Sequence, residues 1–305
     1  MTKEYQLIIM GGGPAGLSAG LYAARDKLNV ALVEKNITGG LANNAELIEN
    51  YPGFPDGISG FELGEKMLQQ AEKFGMQTLM AEIRALEIKE HWKVVKTSEG
   101  DLTAQAVIIA LGSERINLNV PGEKEFIGRG VSYCATCDAA FFKDQPVAVV
   151  GGGNAAVSEA LHLAKFANKV FIIHRRYQFR ATPIFLDKAK SNPKITFITG
   201  TTVNSIEGNN IVQNLHVTNV MTKEKSTLSV AGVFISIGQK PNTDFLKGIV
   251  PMDANGYIIT NEKMETAVPG LLAAGDIRSS SIRQTISAAG DGATAAIYAY
   301  RYIEA

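Results

Sequence analysis

The sequence has no excess of either charge: 30 Lys and Arg balance 30 Asp and Glu over 305 residues. Bulk electrostatics therefore give no pull toward nucleic acid or an anionic membrane. No apolar run approaches the ~18 residues that would suggest a membrane span. Ahead of the first glycines only Leu7 to Met10 is apolar, too short for the core of a signal peptide, so the expected location is cytoplasmic. Cysteine is scarce. Cys134 and Cys137 form a single CATC, whereas a disulfide-stapled secreted domain would use more cysteines, widely spaced. The histidines are scattered (His91, His162, His174, His216), and no second CxxC or His pair completes a zinc set of about four ligands. No metal site is expected, and the leading reading of the CATC is a redox pair.

At roughly 100–200 residues per domain, a chain of this length is expected to form two domains. Two glycine-rich turns support that division. Leu7 to Met10 reads as a short buried strand, Gly11 to Gly16 spells GGGPAG, and the following LSAGLYAAR has helical spacing of apolar residues. In that context Gly11 permits a tight turn, Gly13 lets a pyrophosphate approach the backbone, and Gly16 lets helix and strand pack closely. A second strand, Val30 to Val33, ends at Glu34, about 20 positions on, where a ribose hydroxyl is held. The alternative is a glycine-rich turn without a ligand.

The pattern recurs. Val147 to Val150 reads as a strand, Gly151, Gly153 and Ala156 form GxGxxA with Asn154 and Ala155 between, and Val157 to Phe166 reads as a helix. Val170 to Ile173 is the next strand, and the position equivalent to Glu34 is His174, followed by Arg175 and Arg176, with Arg180 close behind. A carboxylate accepts from a free 2′-hydroxyl, whereas guanidinium pairs with a 2′-phosphate. The first site therefore suits an adenosine without that phosphate and the second suits NADP. The alternative for the basic cluster is a solvated strand end. Two such sites in one chain usually mean one flavin and one nicotinamide, whose hydride chemistry the protein orients. Near the C-terminus PGLLAAGD reads as a strand ending in Gly275 and Asp276, followed by Arg283, Gln284 and a helix from about Ile286 to Ile303. A carboxylate ahead of a helix start can hold a polyol and aim the helix N-terminus at the flavin; Asp276 could equally be an N-cap.

GGGPAG, the double glycine Gly39-Gly40, ENYPG from Glu49 to Gly53, CATCD, GGGNAA, HRRxxxR and the GD…RQ pair occur together and in order. With these motifs the chain resembles the low-molecular-weight thioredoxin reductases over essentially its whole length. The resemblance implies an α/β fold of two Rossmann-like nucleotide-binding domains of the three-layer ββα type, the NADPH domain inserted into the FAD domain. It places the FAD domain at residues 1–112 and 242–305 and the NADPH domain, carrying the CATC, at residues 113–241. FAD contacts are expected from Gly11, Gly13, Pro14, Ala15 and Gly16, from Glu34 and Lys35, and from Gly39, Gly40, Leu41 and Asn50. Ala110 and Gly112 join them, as do Gly275, Asp276, Arg283, Gln284, Thr285 and Ile286. NADPH contacts are expected from Gly151, Gly153, Asn154, Ala155, Ala156, His174, Arg175, Arg176 and Arg180.

By the same resemblance, electrons pass from NADPH through FAD to the Cys134–Cys137 disulfide and on to thioredoxin or a thioredoxin-like protein. Cys137 matches the flavin-facing cysteine, Cys134 the one that attacks the partner, and Asp138 the acid that handles protons. Asp138 also fits a helix N-cap. A homodimer is expected, and so is a rotation of the inserted domain that serves both of its redox partners. Leu41 replaces a common Gln, Ala110-Leu111-Gly112 replaces the usual ATG, and Ala139-Ala140-Phe141-Phe142 replaces Gly-Phe-Phe-Tyr, which removes an aromatic from the expected docking groove. A divergent thioredoxin or a glutaredoxin-like partner is therefore kept open, and Arg129, just ahead of the CATC, fits either a partner contact or a solvated turn. Rivals that draw on ferredoxin or pass electrons to oxygen have no need of GGGNAA with HRRxxxR. A flavin-bound redox sensor is the non-enzymatic alternative. Tyr22, Phe61, Phe74 and Trp92 read as core or partial core, and Thr222 to Lys225 as a solvated hairpin turn.

Overall fold

The computed structural model describes residues 3–45, 47–90 and 92–305; His91 lies outside them. Among these residues the α-helices are α1 (Pro14–Arg25), α2 (Gly60–Lys73), α3 (Ala135–Asp138), α4 (Asn154–Leu163), α5 (Pro183–Lys190) and α6 (Thr285–Ile303). None is long and apolar enough to cross a membrane. The chain forms two compact units: Met1–Glu114 with Lys240–Ala305, and Arg115–Gln239 between them in sequence. Both crossings run through short strands, Ser113–Arg115 and Gln239–Pro241, which form a two-stranded sheet.

The first unit is built on a seven-stranded sheet. Its centre is the strand Lys3–Met10, paired in parallel with Val30–Glu34 on one side and Gly100–Ile109 on the other, so that Ile9 stands level with Leu32 and Ile108. Strands covered on both faces have no polar side, which is why Leu7 to Met10 is uninterruptedly apolar and fully buried. The C-terminal strand Leu271–Ala273 returns beside Gly100–Ile109 with Leu272 level with Ile108. That return places Gly275 next to the first glycine turn. Helices α1 and α6 pack closely because α6 presents small residues, Ala288, Gly292, Ala295 and Ala299. A Cβ on Gly292 would stand 2.0 Å from the Ala15 carbonyl oxygen, so only glycine permits this approach. Ser59 caps α2 by accepting from the Glu62 N–H at 3.1 Å.

The second unit has a parallel five-stranded sheet in the order Ile195–Thr199, Lys169–His174, Pro146–Val150, Gly232–Ile235, Val131–Ser132. Val147, Val149, Val157, Ala160 and Phe234 form its core on the α4 side. A three-stranded antiparallel sheet, Thr201–Gly208, Val212–Asn219 and Lys225–Ser229, completes it, with Thr222 to Glu224 in the turn between the last two strands. The architecture is thus α/β with two Rossmann-like parallel sheets. The aromatic expectation needs correction. Tyr22, Phe61 and Phe74 are exposed, and Trp92 is half-buried. Their apolar bodies lie on outward-facing positions of the elements that carry them, and Phe74 lies under the Arg25 guanidinium at 5.7 Å. Apolar residue type alone does not place a side chain inside.

Candidate functional site

The glycine turn of the first unit enters α1 with Gly13 as N-cap and Pro14 in the first turn, and no side chain caps the helix start. Its leading N–H groups are therefore available to an anion. Gly11 has φ +106°, and a Cβ there would lie 2.5 Å from the Ala110 carbonyl oxygen; a Cβ on Gly16 would lie 1.9 Å from the Gly11 oxygen. Both positions exclude a side chain, and the space around Gly13 is open, the nearest atom to an added Cβ being Gly40 Cα at 4.0 Å. Glu34 closes this pocket floor: its Oε2 accepts from the Gly12 N–H at 2.8 Å and its Oε1 from the Asn36 N–H at 3.0 Å. The Gly39 N–H donates to the Gly12 carbonyl at 2.8 Å, which brings the double glycine against the turn. Lys35, Gly40, Leu41 and Asn50 are exposed around it.

The C-terminal part of this site is assembled by side chains whose role the sequence did not reveal. Gly275 packs against Ala15, since a Cβ there would stand 2.9 Å from the Ala15 Cβ. The Gly275 N–H donates to Asp291 Oδ2 at 3.1 Å, and the same oxygen accepts from Arg278 Nε at 3.0 Å and Nη2 at 2.7 Å. Arg278 Nη1 donates to Thr260 and Ser280. A carboxylate among the small residues of the first half of α6 was the available signal. Asp276 lies within the 3-10 turn Gly275–Ile277 and accepts from Ser281 Oγ at 3.0 Å, so it does not cap α6; Gln284 does, in a capping box with Ser287. Asn50 Nδ2 donates to Gln284 Oε1 at 3.0 Å, joining segments far apart in sequence. Arg283 has φ +61° and lies over the Tyr257 ring, while Thr285 and the exposed Ile286 open α6. Ala110 is buried and Gly112 has φ +62° with open space around it. An open, uncapped helix start facing a carboxylate at the strand end fits a dinucleotide without a 2′-phosphate.

In the second unit Gly153 is the N-cap of α4, again without a side-chain cap and with open space around it. Gly152 lies over the His174 imidazole: a Cβ there would fall 2.3–2.5 Å from three ring atoms. The segment after His174 is laced to the turn, Arg180 N–H donating to the Gly152 carbonyl at 2.8 Å and Thr182 N–H to Asn154 Oδ1 at 2.7 Å. His174 is buried, and burial first, then the nearby Arg180, Arg176 and Arg175, push its pKa down. It is therefore neutral at neutral pH, and its buried Nε2 has no hydrogen-bond partner. The cationic character of the cluster resides in Arg175, Arg176 and Arg180, all exposed. Exposed guanidiniums on the segment laced to an uncapped helix start fit a dinucleotide that carries an additional phosphate.

Cys134 and Cys137 form a disulfide across the one-turn helix α3, with Cα atoms 5.3 Å apart. Cys134 is half-buried and Cys137 exposed. Thr136 Oγ1 lies 3.3 Å from Cys134 Sγ, within reach of a thiolate there. Asp138 stands at the N-cap position of the 3-10 turn Ala139–Phe142, but its side chain makes no cap hydrogen bond there. Its Oδ2 accepts from Ser132 Oγ at 2.5 Å, and Ser132 Oγ also accepts from the Cys134 N–H at 3.1 Å. Burial raises the Asp138 carboxyl above its ordinary pKa, against the pull of Ser132 and of Arg115. A carboxyl that binds its proton more firmly than usual is suited to giving and taking one beside a sulfur. Arg129 donates to the Glu125 carbonyl and lies over the Phe126 ring. Phe141, four residues past Cys137 in the chain, is 49% exposed, whereas Phe142 turns inward onto Phe234. No group of three or more His, Cys, Asp or Glu among the described residues could hold a metal ion.

The chain matches the family described as pyridine nucleotide-disulphide oxidoreductase over residues 5–292. It is 45% identical over 303 residues to the thioredoxin reductase of Bacillus subtilis (strain 168), covering 99% of this chain and 96% of that protein. It is 42% identical over 301 residues to the bifunctional thioredoxin reductase/thioredoxin of Mycobacterium leprae (strain TN), covering 98% of this chain and 66% of that protein. The crystal structure of thioredoxin reductase from Streptococcus pyogenes MGAS5005 is similar with a TM-score of 0.95 at 44% identity, covering 100% of this chain and 99% of that one.

Proposed function

We propose a complete electron path for this chain, which belongs to the pyridine nucleotide-disulphide oxidoreductase family and is a thioredoxin-disulfide reductase of low molecular weight. The donor in this reading is NADPH, held by the second unit; FAD is held by the first; thioredoxin is the acceptor. The observation that carries it is the contrast between two uncapped glycine-turn helix starts, one with Glu34 bonded to its turn and the other with the exposed Arg175, Arg176 and Arg180 in the segment laced to it, in a chain with a single CxxC disulfide.

In the first unit Gly11, Gly13, Pro14, Ala15 and Gly16 would receive the pyrophosphate of FAD, and Glu34 its adenosine ribose, with Lys35 beside it. Gly39, Gly40, Leu41 and Asn50, then Ala110 and Gly112, would line the path to the ring. Gly275 and Asp276 would hold the polyol, and Arg283, Gln284, Thr285 and Ile286 would bring the α6 start to the ring. Bound there, FAD would supply a two-electron relay between a nicotinamide and the Cys134–Cys137 disulfide. In the second unit Gly151, Gly153, Asn154, Ala155 and Ala156 would hold the NADPH pyrophosphate. His174 would pack against the turn, and Arg175, Arg176 and Arg180 would clamp the 2′-phosphate.

Once the pair is reduced, the Cys134 thiolate attacks one sulfur of the partner disulfide and forms a mixed disulfide. The partner's other sulfur leaves as a thiolate and takes a proton. Cys137 then displaces the partner, restoring Cys134–Cys137 and releasing a dithiol. Asp138, oriented by Ser132, supplies and recovers the proton. Phe141, exposed four residues past Cys137, is an apolar side chain that a partner would cover. A homodimer and a cytoplasmic location belong to the same reading.

The test is an anaerobic titration of the purified protein with NADPH and with NADH, read by flavin absorbance, followed by oxidised thioredoxin. Bleaching at low NADPH, weaker response to NADH and recovery of absorbance on adding thioredoxin are expected. A colourless protein, or a yellow one that NADPH leaves unchanged, would overturn the reading. Cys134→Ser is expected to retain bleaching and lose thioredoxin reduction.

A further inference from the structure

The second unit holds two carboxyl groups, outside the cycle above, with oxygens cut off from water. Glu159 on α4 has Oε2 buried without a hydrogen-bond partner, and burial raises its pKa to about 7. Glu123 is the opposite case. It is only 2% exposed, yet three donors meet it: the Leu118 N–H at 2.9 Å and the Tyr133 hydroxyl at 2.8 Å on Oε1, and the Asn119 N–H at 2.7 Å on Oε2. A buried carboxylate bonded at both oxygens fixes its donors in one geometry. Those donors come from two segments. Leu118 and Asn119 lie in the stretch that leaves the crossing strand Ser113–Arg115, and the Ile116 N–H donates to the Gly238 carbonyl at 3.1 Å, just ahead of the returning strand Gln239–Pro241. Asn119 takes φ +59°, a backbone that non-glycine residues keep where their surroundings hold them. Tyr133 follows the strand Val131–Ser132 and directly precedes Cys134.

Alternation along Val131, Ser132 and Tyr133 sends Ser132 to one side and its neighbours to the other. Val131 and Tyr133 pack in one apolar cluster with Leu118, Val120 and Phe126. Ser132 instead donates to Asp138 and accepts from the Cys134 N–H. The chain entering Cys134 is thus gripped from both sides, by Ser132 through the acid of the cycle and by Tyr133 through Glu123. The Tyr133 ring also lies under the Arg115 guanidinium at 4.8 Å, and Asn117 Oδ1 is 3.2 Å from the Tyr133 hydroxyl. Burial first, then the bond to Glu123, pushes the Tyr133 pKa up, so this hydroxyl stays a donor throughout the working range. We propose that Tyr133 and Glu123 are positioning residues for disulfide exchange: their hydrogen bond keys the backbone entering Cys134 to the stretch 117–119 and so fixes where the Cys134 sulfur meets the partner disulfide. Thiolate attack runs in line with the S–S bond that breaks, so its rate depends on where the attacking sulfur is held. Neither side chain gives up a proton in the cycle; both act through the Cys134 backbone.

The proposal rests on Cys134 being the attacking sulfur, and the experiment separates the two. The holoenzyme and its Tyr133→Phe, Glu123→Gln, double and Cys134→Ser variants are compared. Two reactions are followed: anaerobic bleaching of the flavin by NADPH, and single-turnover oxidation of the dithiothreitol-reduced pair by oxidised thioredoxin, which gives a limiting rate and a half-saturating concentration. Tyr133→Phe keeps the ring and removes only the hydroxyl. It is expected to lower the limiting rate by about ten- to hundredfold, as for an attacking group misplaced by up to ~1 Å. The half-saturating concentration, flavin content and bleaching rate are expected to stay at wild-type values, and the loss to keep the same factor across pH 6 to 8. Glu123→Gln, which leaves an oxygen to accept from Tyr133, is expected to lose less, and to add little once the hydroxyl is gone. A wild-type limiting rate in Tyr133→Phe would overturn the proposal, whatever the folding of the Glu123 variant. So would a change in half-saturation alone, the mark of a partner contact, or a loss that varies with pH, the mark of a proton donor. Losses that multiply fully in the double variant would also count against a shared bond. Thioredoxin reduction retained in Cys134→Ser would overturn the attacking-sulfur assignment and the proposal together.

Discussion

Replacing Arg278 by Met tests how the first unit holds its C-terminal turn. The Arg278 and Asp291 side chains are only 8% and 15% exposed. Asp291 Oδ2 accepts three N–H groups, two from Arg278 and one from Gly275. Met fills much of the arginine stem but supplies no donor, so a carboxylate is left with a single backbone partner in a mostly dry site. Stranding one member of a buried ion pair costs about 3–5 kcal/mol. For a unit of this size that is roughly 6–20 °C in Tm. Removing both charges in Arg278→Met with Asp291→Leu leaves no buried charge stranded: the Gly275 N–H loses its acceptor, at about 1–3 kcal/mol, and the Thr260 and Ser280 hydroxyls lose the Arg278 donor in both the single Arg278→Met and the double variant. The double variant is thus expected to be more stable than Arg278→Met alone. Thermal unfolding of wild type, both single variants and the double variant supplies the full cycle. Glu62→Gln is the control, because the Lys66–Glu62 pair is 53% and 55% exposed and worth about 0–1 kcal/mol. If Arg278→Met costs no more than that control, or if the two single effects simply add, the argument from burial fails.

Arg175→Ala with Arg176→Ala should weaken NADPH far more than NADH, by about 1.5–3 kcal/mol for each guanidinium–phosphate hydrogen bond removed; equal weakening for both nucleotides in a KM comparison would refute the clamp. Gly152→Ala puts a methyl 2.3–2.5 Å from the His174 ring. It should cost roughly 1–3 kcal/mol of overpacking and weaken nucleotide binding to the second unit while leaving flavin content intact, as measured by NADPH titration and absorbance. The stability of the protein should respond to Glu159 with a definite sign. Its folded pKa, about 7, lies above the ordinary 4.5, so folding retains a proton that the unfolded chain releases, and stability falls as pH rises between those values. Glu159→Gln should remove up to roughly 3 kcal/mol of that slope, seen as a gain over wild type in urea midpoints at pH 8 that vanishes at pH 4.

The glycine turns, the strand ends at Glu34 and His174, and the CATC were legible in the sequence because local backbone needs dictate them. A turn at φ +106° or a Cβ position 1.9 Å from a carbonyl oxygen admits glycine and little else. A parallel strand buried on both faces must be apolar throughout. Periodicity also placed α1, α4 and α6 to within a few residues, α4 beginning at Asn154 rather than Val157 because its start is set by the turn and not by its apolar face. The exposure of Tyr22, Phe61 and Phe74 was not legible, since residue type reports what can be buried and not which side of an element faces in. Nor were the polar partnerships that span stretches of chain, Asn50 with Gln284 and Asp291 with Gly275 and Arg278, or the local one that sets Ser132 between Cys134 and Asp138. By itself the sequence determined two glycine turns, one leading to a strand that ends in a carboxylate and the other to a strand that ends in a cationic cluster, and one CxxC pair. Only the tertiary structure decided which carboxyls lose water and that Asp291 pairs with Arg278 in a mostly dry site, because desolvation and ion pairing depend on distances that no spacing along a chain encodes.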